Sequence, residues 1–159
     1  MKRIEVSRQV NRSPAVVFAA VRDFSTYPAY SDYLKDVTPD GDGAPGTEYD
    51  LAVHVLGLSF DVRTRLDQLE PPRRIEWSVL GDVEAVGRWL VTPVGDETAS
   101  KIDLVLEYDP NSIDSSVVSL PLGMTFSWLT DRAEALAERE AGAVLDRLVA
   151  DIEREGVRD

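Results

Sequence analysis

Residues 125–155 read TFSWLTDRAEALAEREAGAVLDRLVADIERE, and this stretch decides the fold. Leu129, Ala133, Leu136, Ala137, Val144, Leu145, Leu148, Val149 and Ile152 recur at helical spacing, with the charges mostly between them. No Pro interrupts the run, and the internal Gly142 costs only about 1 kcal/mol relative to Ala. The spacing predicts an α-helix of about 30 residues, roughly 45 Å long. Its apolar stripe must be covered, and most of the chain before it reads as β-strand. On this reading Leu136→Glu unfolds the protein, because a buried unpaired charge costs several kcal/mol.

Working outward, Ile102, Leu104, Leu106 and Tyr108 alternate with Lys101, Asp103 and Glu107. Ala85, Gly87, Trp89 and Val91 share a face opposite Glu84 and Arg88, and Ile75, Trp77 and Val79 alternate with Arg74, Glu76 and Ser78. The cleanest period of two runs through Leu58, Phe60, Val62, Thr64 and Leu66, the signature of a half-buried strand. Tyr49, Leu51, Val53 and Val55 form another such face, as do Ile4, Val6 and Val10 near the start. Arg8 falls on that last face by parity, at the rim, in a bulge or in the interior. Between the first two of these strands in chain order, Ser13–Pro14 starts a helix ending near Asp23–Phe24. A short aromatic helical turn follows, with Tyr27, Pro28 and Tyr30. The stretch TPDGDGAPGTEY (38–49) reads as turn chemistry.

The order is therefore one strand, two short helices, consecutive strands at hairpin spacing and one long helix. That predicts an α+β fold with a curved antiparallel sheet of about six or seven strands, in one domain over residues 1–159. A chain of this length buries roughly 70% of its unfolded surface and needs no covalent staples. It has none, since Cys is absent. Thiolate metal sites and Cys nucleophiles are thereby excluded. MKRIEVSRQV has no apolar signal core and no run approaches the length of a membrane span, so a cytoplasmic protein is expected. The net charge of −12, from 29 acidic against 17 basic residues, argues against nucleic acid and anionic membrane surfaces as partners. Only Lys2, Lys35 and Lys101 are lysines. Acidic excess with little Lys suits a salt-rich cytoplasm, as in a halophile, where self-repulsion is screened. In that case thermal stability rises steeply with KCl into the molar range, and a melting temperature flat in KCl removes the halophilic reading.

SPAVVFAAVRDFSTYPAY (13–30), PGTEY (45–49), PPRRIEW (71–77) and GRWLVTP (87–93) stand in an order that resembles the START-like (SRPBCC) superfamily. The match is to its polyketide cyclase/dehydrase and coenzyme Q-binding-like branches, over nearly the whole chain. The resemblance implies a helix-grip fold, a bent sheet closed around the C-terminal helix with a cavity between them. Residues of the inward faces that would line it are Val53, Val55, Phe60, Val62, Trp77, Val79, Trp89, Leu104, Leu106, Leu129 and Leu136. The same residues would equally fill a solid core packed to ordinary density. The inward Trp pair favours a cavity, since a buried indole N–H wants a partner that water or ligand can supply.

Catalytic groups are sparse. His54 is the only His and points to the convex face by parity; no nucleophile motif and no metal-ligand set is present. DGDG (40–43) lacks the further acids of a calcium loop. No catalytic residue, metal or cofactor is assigned. Arg8, Tyr49, Thr64 and Tyr108 are the candidate polar anchors. The expected function is binding or transport of a hydrophobic small molecule, a lipid, polyketide or isoprenoid quinone. A polyketide aromatase/cyclase or dehydratase is the enzymatic alternative, and a protein-interaction module is the third. Residues 109–124 (DPNSIDSSVVSLPLGM) carry too many large apolar side chains for a plain linker. They read as a lid, or as a helical turn packed on the sheet's open end. Val118, Leu120, Leu122 and Met124 would form one side of a gate, with Tyr27 and Tyr30 opposite.

Overall fold

The structure, a computed structural model, describes residues 2–55, 57–81, 84–109 and 126–156, without the side chains of Val55, Leu58, Phe60 and residues 126–133 and 155–156. In chain order it contains β1 (Lys2–Val10), α1 (Pro14–Val21), a 3-10 turn (Phe24–Ala29), β2 (Leu34–Asp40), β3 (Glu48–Val55), β4 (Leu58–Glu70), β5 (Arg74–Val79), β6 (Ala85–Val94), β7 (Ala99–Tyr108) and α2 (Phe126–Gly156). The strands form one seven-stranded curved sheet in the order β1-β7-β6-β5-β4-β3-β2, antiparallel throughout. This is the helix-grip arrangement, with α2 held across the concave face.

Register follows from the alternation. Val6, Leu104, Trp89, Ile75 and Leu69 form one cross-strand row on the inner face, and Ile4, Leu106, Gly87, Trp77 and Leu66 form the next. A bulge between Leu66 and Gln68 moves the inward parity of β4 from Leu66 to Leu69 and bends the sheet.

β2 is invisible in the alternation, where Thr38–Asp40 reads as turn. LKDVTPD has a single buried side chain, Val37, because it is an edge strand. Its Lys, Asp and Pro residues are what a solvent-facing edge tolerates. It is tied in from the convex side by Arg63 of β4. That guanidinium meets Glu48 at 2.6 Å, Asp50 at 2.9 Å and Asp40 at 3.0 Å, spanning three strands.

Two polar seams set the course of α2. On one side Lys2 pairs with Glu134 at 2.8 Å, Arg8 with Asp146 at 2.7 Å, and Arg12 donates to the Glu153 carbonyl. These contacts occur in chain order, so α2 runs beside β1 and in the same direction. On the other side Tyr30 Oη donates to Asp151 at 2.6 Å, Arg147 donates to the Tyr30 carbonyl at 2.7 Å, and the Asp32 amide donates to Glu140 at 3.2 Å. Between the seams Ala141, Leu145, Leu148 and Ile152 are buried. They meet Val17, Phe18 and Val21 of α1 and the inner residues Val10, Ile75, Val91 and Ile102 in one core. Leu136, expected to be a core position, is half-buried; among the described side chains of α2 the buried ones lie in its C-terminal half.

Candidate functional site

The ends of β3, β5 and β7 and the starts of β1, β4, β6 and α2 lie at one end of the sheet; α1 packs over the other, against β6 and β7, and the 3-10 turn lies against β2. At the closed end the inward residues Ile75, Trp89, Val91, Ile102 and Leu104 are buried, with Val6 and Leu69 half-buried at the flanks of their row. Toward the other end Ile4, Leu66, Tyr49 and Thr64 are still buried, while Leu51, Val53, Val62, Trp77, Val79, Leu106 and Tyr108 on the same inner face are half-buried. Leu136 of α2 is half-buried as well. The concave face therefore grades from core to accessible apolar surface.

At the boundary stands a cluster of five rings. Phe24 lies 5.1 Å from Tyr27, 4.9 Å from Tyr49 and 6.1 Å from Trp77; Tyr27 lies 6.4 Å and Trp77 6.3 Å from Trp89. Aromatic pairs at such tilts add stability beyond their buried area. Trp89 Nε1 donates to Tyr27 Oη at 2.9 Å, and Tyr27 Oη donates to the Val21 carbonyl. Burial pushes the Tyr27 hydroxyl well above its ordinary range, against the lowering effect of the Trp89 bond. The Trp89 N–H is thus answered by protein. That corrects the expectation that both indoles turn to water or ligand.

Trp77 is seated differently. It faces Gly87 across the β5–β6 pair, and a Cβ at Gly87 would fall 2.3 Å from Cζ2, 2.4 Å from Cε2 and 2.7 Å from Nε1 of its indole. The ring lies directly on the glycine. Gly87→Ala is expected to push Trp77 off this seat, at an overpacking cost of about 1–3 kcal/mol. The melting temperature then falls by roughly 5 °C. A variant melting with the parent in a calorimetric scan would contradict this seating.

The candidate anchors fall in separate places. Arg8 is taken up by Asp146, with its guanidinium 3.4 Å from where a Cβ on Gly142 would sit. Thr64 is buried and its hydroxyl reaches the Tyr49 carbonyl at 3.5 Å. Tyr49 is buried beside Phe24, and burial, followed by Asp23, raises its hydroxyl. Tyr108 stands half-buried near Glu134, and burial, then that carboxylate, raises it too. Of the expected gate, Tyr27 bonds to the end of α1 and Tyr30 to the C-terminal part of α2. Its other side, Val118, Leu120, Leu122 and Met124, lies outside the described residues. So do the side chains of Val55, Phe60 and Leu129. In the β3–β4 pair the backbone sets Val53 opposite Phe60 and Val55 opposite Leu58.

His54 lies on the convex side, exposed, with Nε2 2.6 Å from Ser59 Oγ. No three metal-ligating side chains converge among the described residues, and none of the described helices is long and apolar enough to cross a membrane. Two residues of the site escape sequence reading. In the sequence Phe24 is only a helix end, and Gly87 only one more inward position; a small residue opposite an inward Trp is the available signal.

The family described as polyketide cyclase / dehydrase and lipid transport matches residues 1–153. No curated protein matches in sequence. Among solved structures, the Zhui aromatase/cyclase from Streptomyces sp. R1128 superposes with a TM-score of 0.79 at 21% identity, covering 96% of this chain and 94% of that one. A START superfamily protein from Mycobacterium smegmatis gives 0.61 at 18% identity, over 96% and 95% of the two chains. The di-domain ARO/CYC BexL from the BE-7585A biosynthetic pathway gives 0.63 at 19% identity, over 91% of this chain and 45% of that one. At these identities the likeness is one of fold.

Proposed function

Because this chain belongs to the polyketide cyclase / dehydrase and lipid transport family, we propose that it binds or carries an apolar small molecule between the sheet and α2. The ligand would be a lipid, a polyketide or an isoprenoid quinone, held by a single cytoplasmic domain. The observation that carries this reading is the half-buried inner face at Val53, Val62, Trp77, Val79, Leu106 and Leu136. Apolar side chains that point inward yet keep exposure lose hydration only when something apolar covers them, at about 25 cal/mol per Å². Pockets for small ligands are lined in this way, with few polar groups.

The cyclase or dehydratase alternative needs a general acid or base facing the ligand, poised to exchange a proton near neutral pH. Tyrosine hydroxyls are protonated at neutral pH in any case, and burial pushes those of Tyr27, Tyr49 and Tyr108 further still from exchange there. Arg8 is spent on Asp146. These observations favour the carrier.

Native mass spectrometry of protein purified from its own host tests the proposal. The expected result is a neutral, organic-extractable adduct on the folded protein. After extraction, rebinding should quench Trp77 fluorescence, read in a variant with Trp89 and Trp128 replaced by Phe. Protein that carries no adduct and binds no quinone, fatty acid or polyketide offered would turn the reading toward a protein-interaction role. Conversion of an offered polyketide would turn it toward the enzyme.

A further inference from the structure

Two inward indoles stand 6.3 Å apart and differ in one respect. Trp89 Nε1 donates to Tyr27, whereas Trp77 Nε1 meets no acceptor among the described residues. Other polar groups of the inner face are placed differently: Thr64 reaches the Tyr49 carbonyl, Ser100 donates to the Arg12 carbonyl, Arg8 pairs with Asp146, Tyr108 stands by Glu134, and the Tyr49 hydroxyl belongs to a buried ring packed on Phe24. Trp77 is half-buried and sits at the edge of the accessible apolar face. Its Nε1 edge rests over Gly87, and Phe24 meets it edge-on at 6.1 Å. The ring has little freedom to turn its N–H elsewhere.

We propose that Trp77 is the specificity-determining residue of the site, its indole N–H donating to a neutral acceptor oxygen of the carbonyl class on a flat apolar ligand. The inference rests on the ligand-binding reading above. An indole N–H only donates, so its complement is an acceptor. A neutral acceptor fits better than an anion, because Arg8 is already paired and the chain carries a net charge of −12. Flatness follows from Trp77 itself, the half-buried ring of the cluster, which offers a planar surface to a guest, while Phe24 and Trp89 back it from the core. A saturated acyl chain would cover the same surface and leave the N–H without a partner, which is costly in a dry site.

The test is a matched probe pair, 2-acetylnaphthalene and 2-ethylnaphthalene, which share a ring and differ in a carbonyl against a methylene. Calorimetric titration of both into the parent and into Trp77→Phe closes a double-mutant cycle. The preference for the ketone is expected to drop about three- to tenfold in Trp77→Phe, the worth of one neutral hydrogen bond, with affinity for the hydrocarbon little changed. In ¹⁵N-labelled parent protein the Trp77 indole proton should move downfield with the ketone and not with the hydrocarbon. This readout does not depend on the variant folding. An unchanged preference in Trp77→Phe, or an indole proton that moves alike with both probes, overturns the proposal and leaves the ligand-binding reading intact. Failure of both probes to bind the parent also overturns the proposal, and the native mass spectrometry above then decides the ligand-binding reading by itself.

Discussion

Leu145→Glu is expected to leave no folded protein at neutral pH. Leu145 is 0% exposed and stands at the middle of the buried stripe Ala141, Leu145, Leu148 and Ile152. The carboxylate would have no cation within the core, and an uncompensated buried charge costs about 3–5 kcal/mol beyond the lost packing. Removing the leucine side chain alone costs about 2–5 kcal/mol. The sum approaches or exceeds the whole stability of a domain of this size, about 5–15 kcal/mol. Far-ultraviolet circular dichroism and urea unfolding read the outcome. Leu145→Ala should retain a cooperative transition at lower urea, and Leu136→Glu, expected from the helical stripe alone to unfold the protein, should instead fold, because Leu136 keeps solvent contact. A Leu145→Glu protein with a parental transition would show that α2 is not the core element.

Tyr27→Phe should cost about 1–3 kcal/mol at neutral pH, since it leaves the Trp89 N–H and the Val21 carbonyl without their shared partner. For a domain of this size that corresponds to a melting temperature lower by roughly 3–10 °C. The deficit should shrink at high pH, and the sign follows from linkage. Burial raises the Tyr27 pKa well above its ordinary value, so the folded state holds its proton where the unfolded chain releases it. The stabilisation is complete below the unfolded value and is lost as pH rises toward the folded one, at up to about 1.4 kcal/mol per pH unit. The phenyl ring of the variant has no proton to lose, so its stability falls less steeply. The raised Tyr49 and Tyr108 contribute the same trend to both proteins. Urea unfolding at about pH 8, 10 and 11, on either side of the ordinary tyrosine value, compares the two slopes. A gap between parent and variant that stays constant across this range would mean that the Tyr27 hydroxyl ionises freely in the folded protein.

The arrangement of these residues is legible in the sequence to different depths. A period of two names a face, and the strand pairing keeps those faces together: Ile4 opposite Leu106, Trp77 opposite Gly87, Tyr49 opposite Thr64. A period of 3.6 names the stripe of α2, and Leu145, Leu148 and Ile152 lie buried where it puts them. The resemblance carried by Ser13 to Tyr30 and by GRWLVTP names the helix-grip family before any packing is known. β2 is lost because an edge strand has no apolar period to display. Its place comes from backbone pairing with β3 and from Arg63 reaching Asp40 across two strand spacings, and neither leaves a local trace.

Local sequence thus determined which side of each element faces inward, because the direction of a side chain depends only on the backbone period. Depth was decided by tertiary structure. Trp77 and Trp89 share parity, composition and neighbourhood in the chain, yet Trp89 lies under α1 with its N–H bonded to Tyr27, while Trp77 lies half-open on Gly87. What separates them is where α1, the 3-10 turn and the C-terminal half of α2 come to rest on the sheet. Those contacts join residues far apart in the chain, so burial, pKa and the presence of an unanswered donor exist only once the chain has closed on itself.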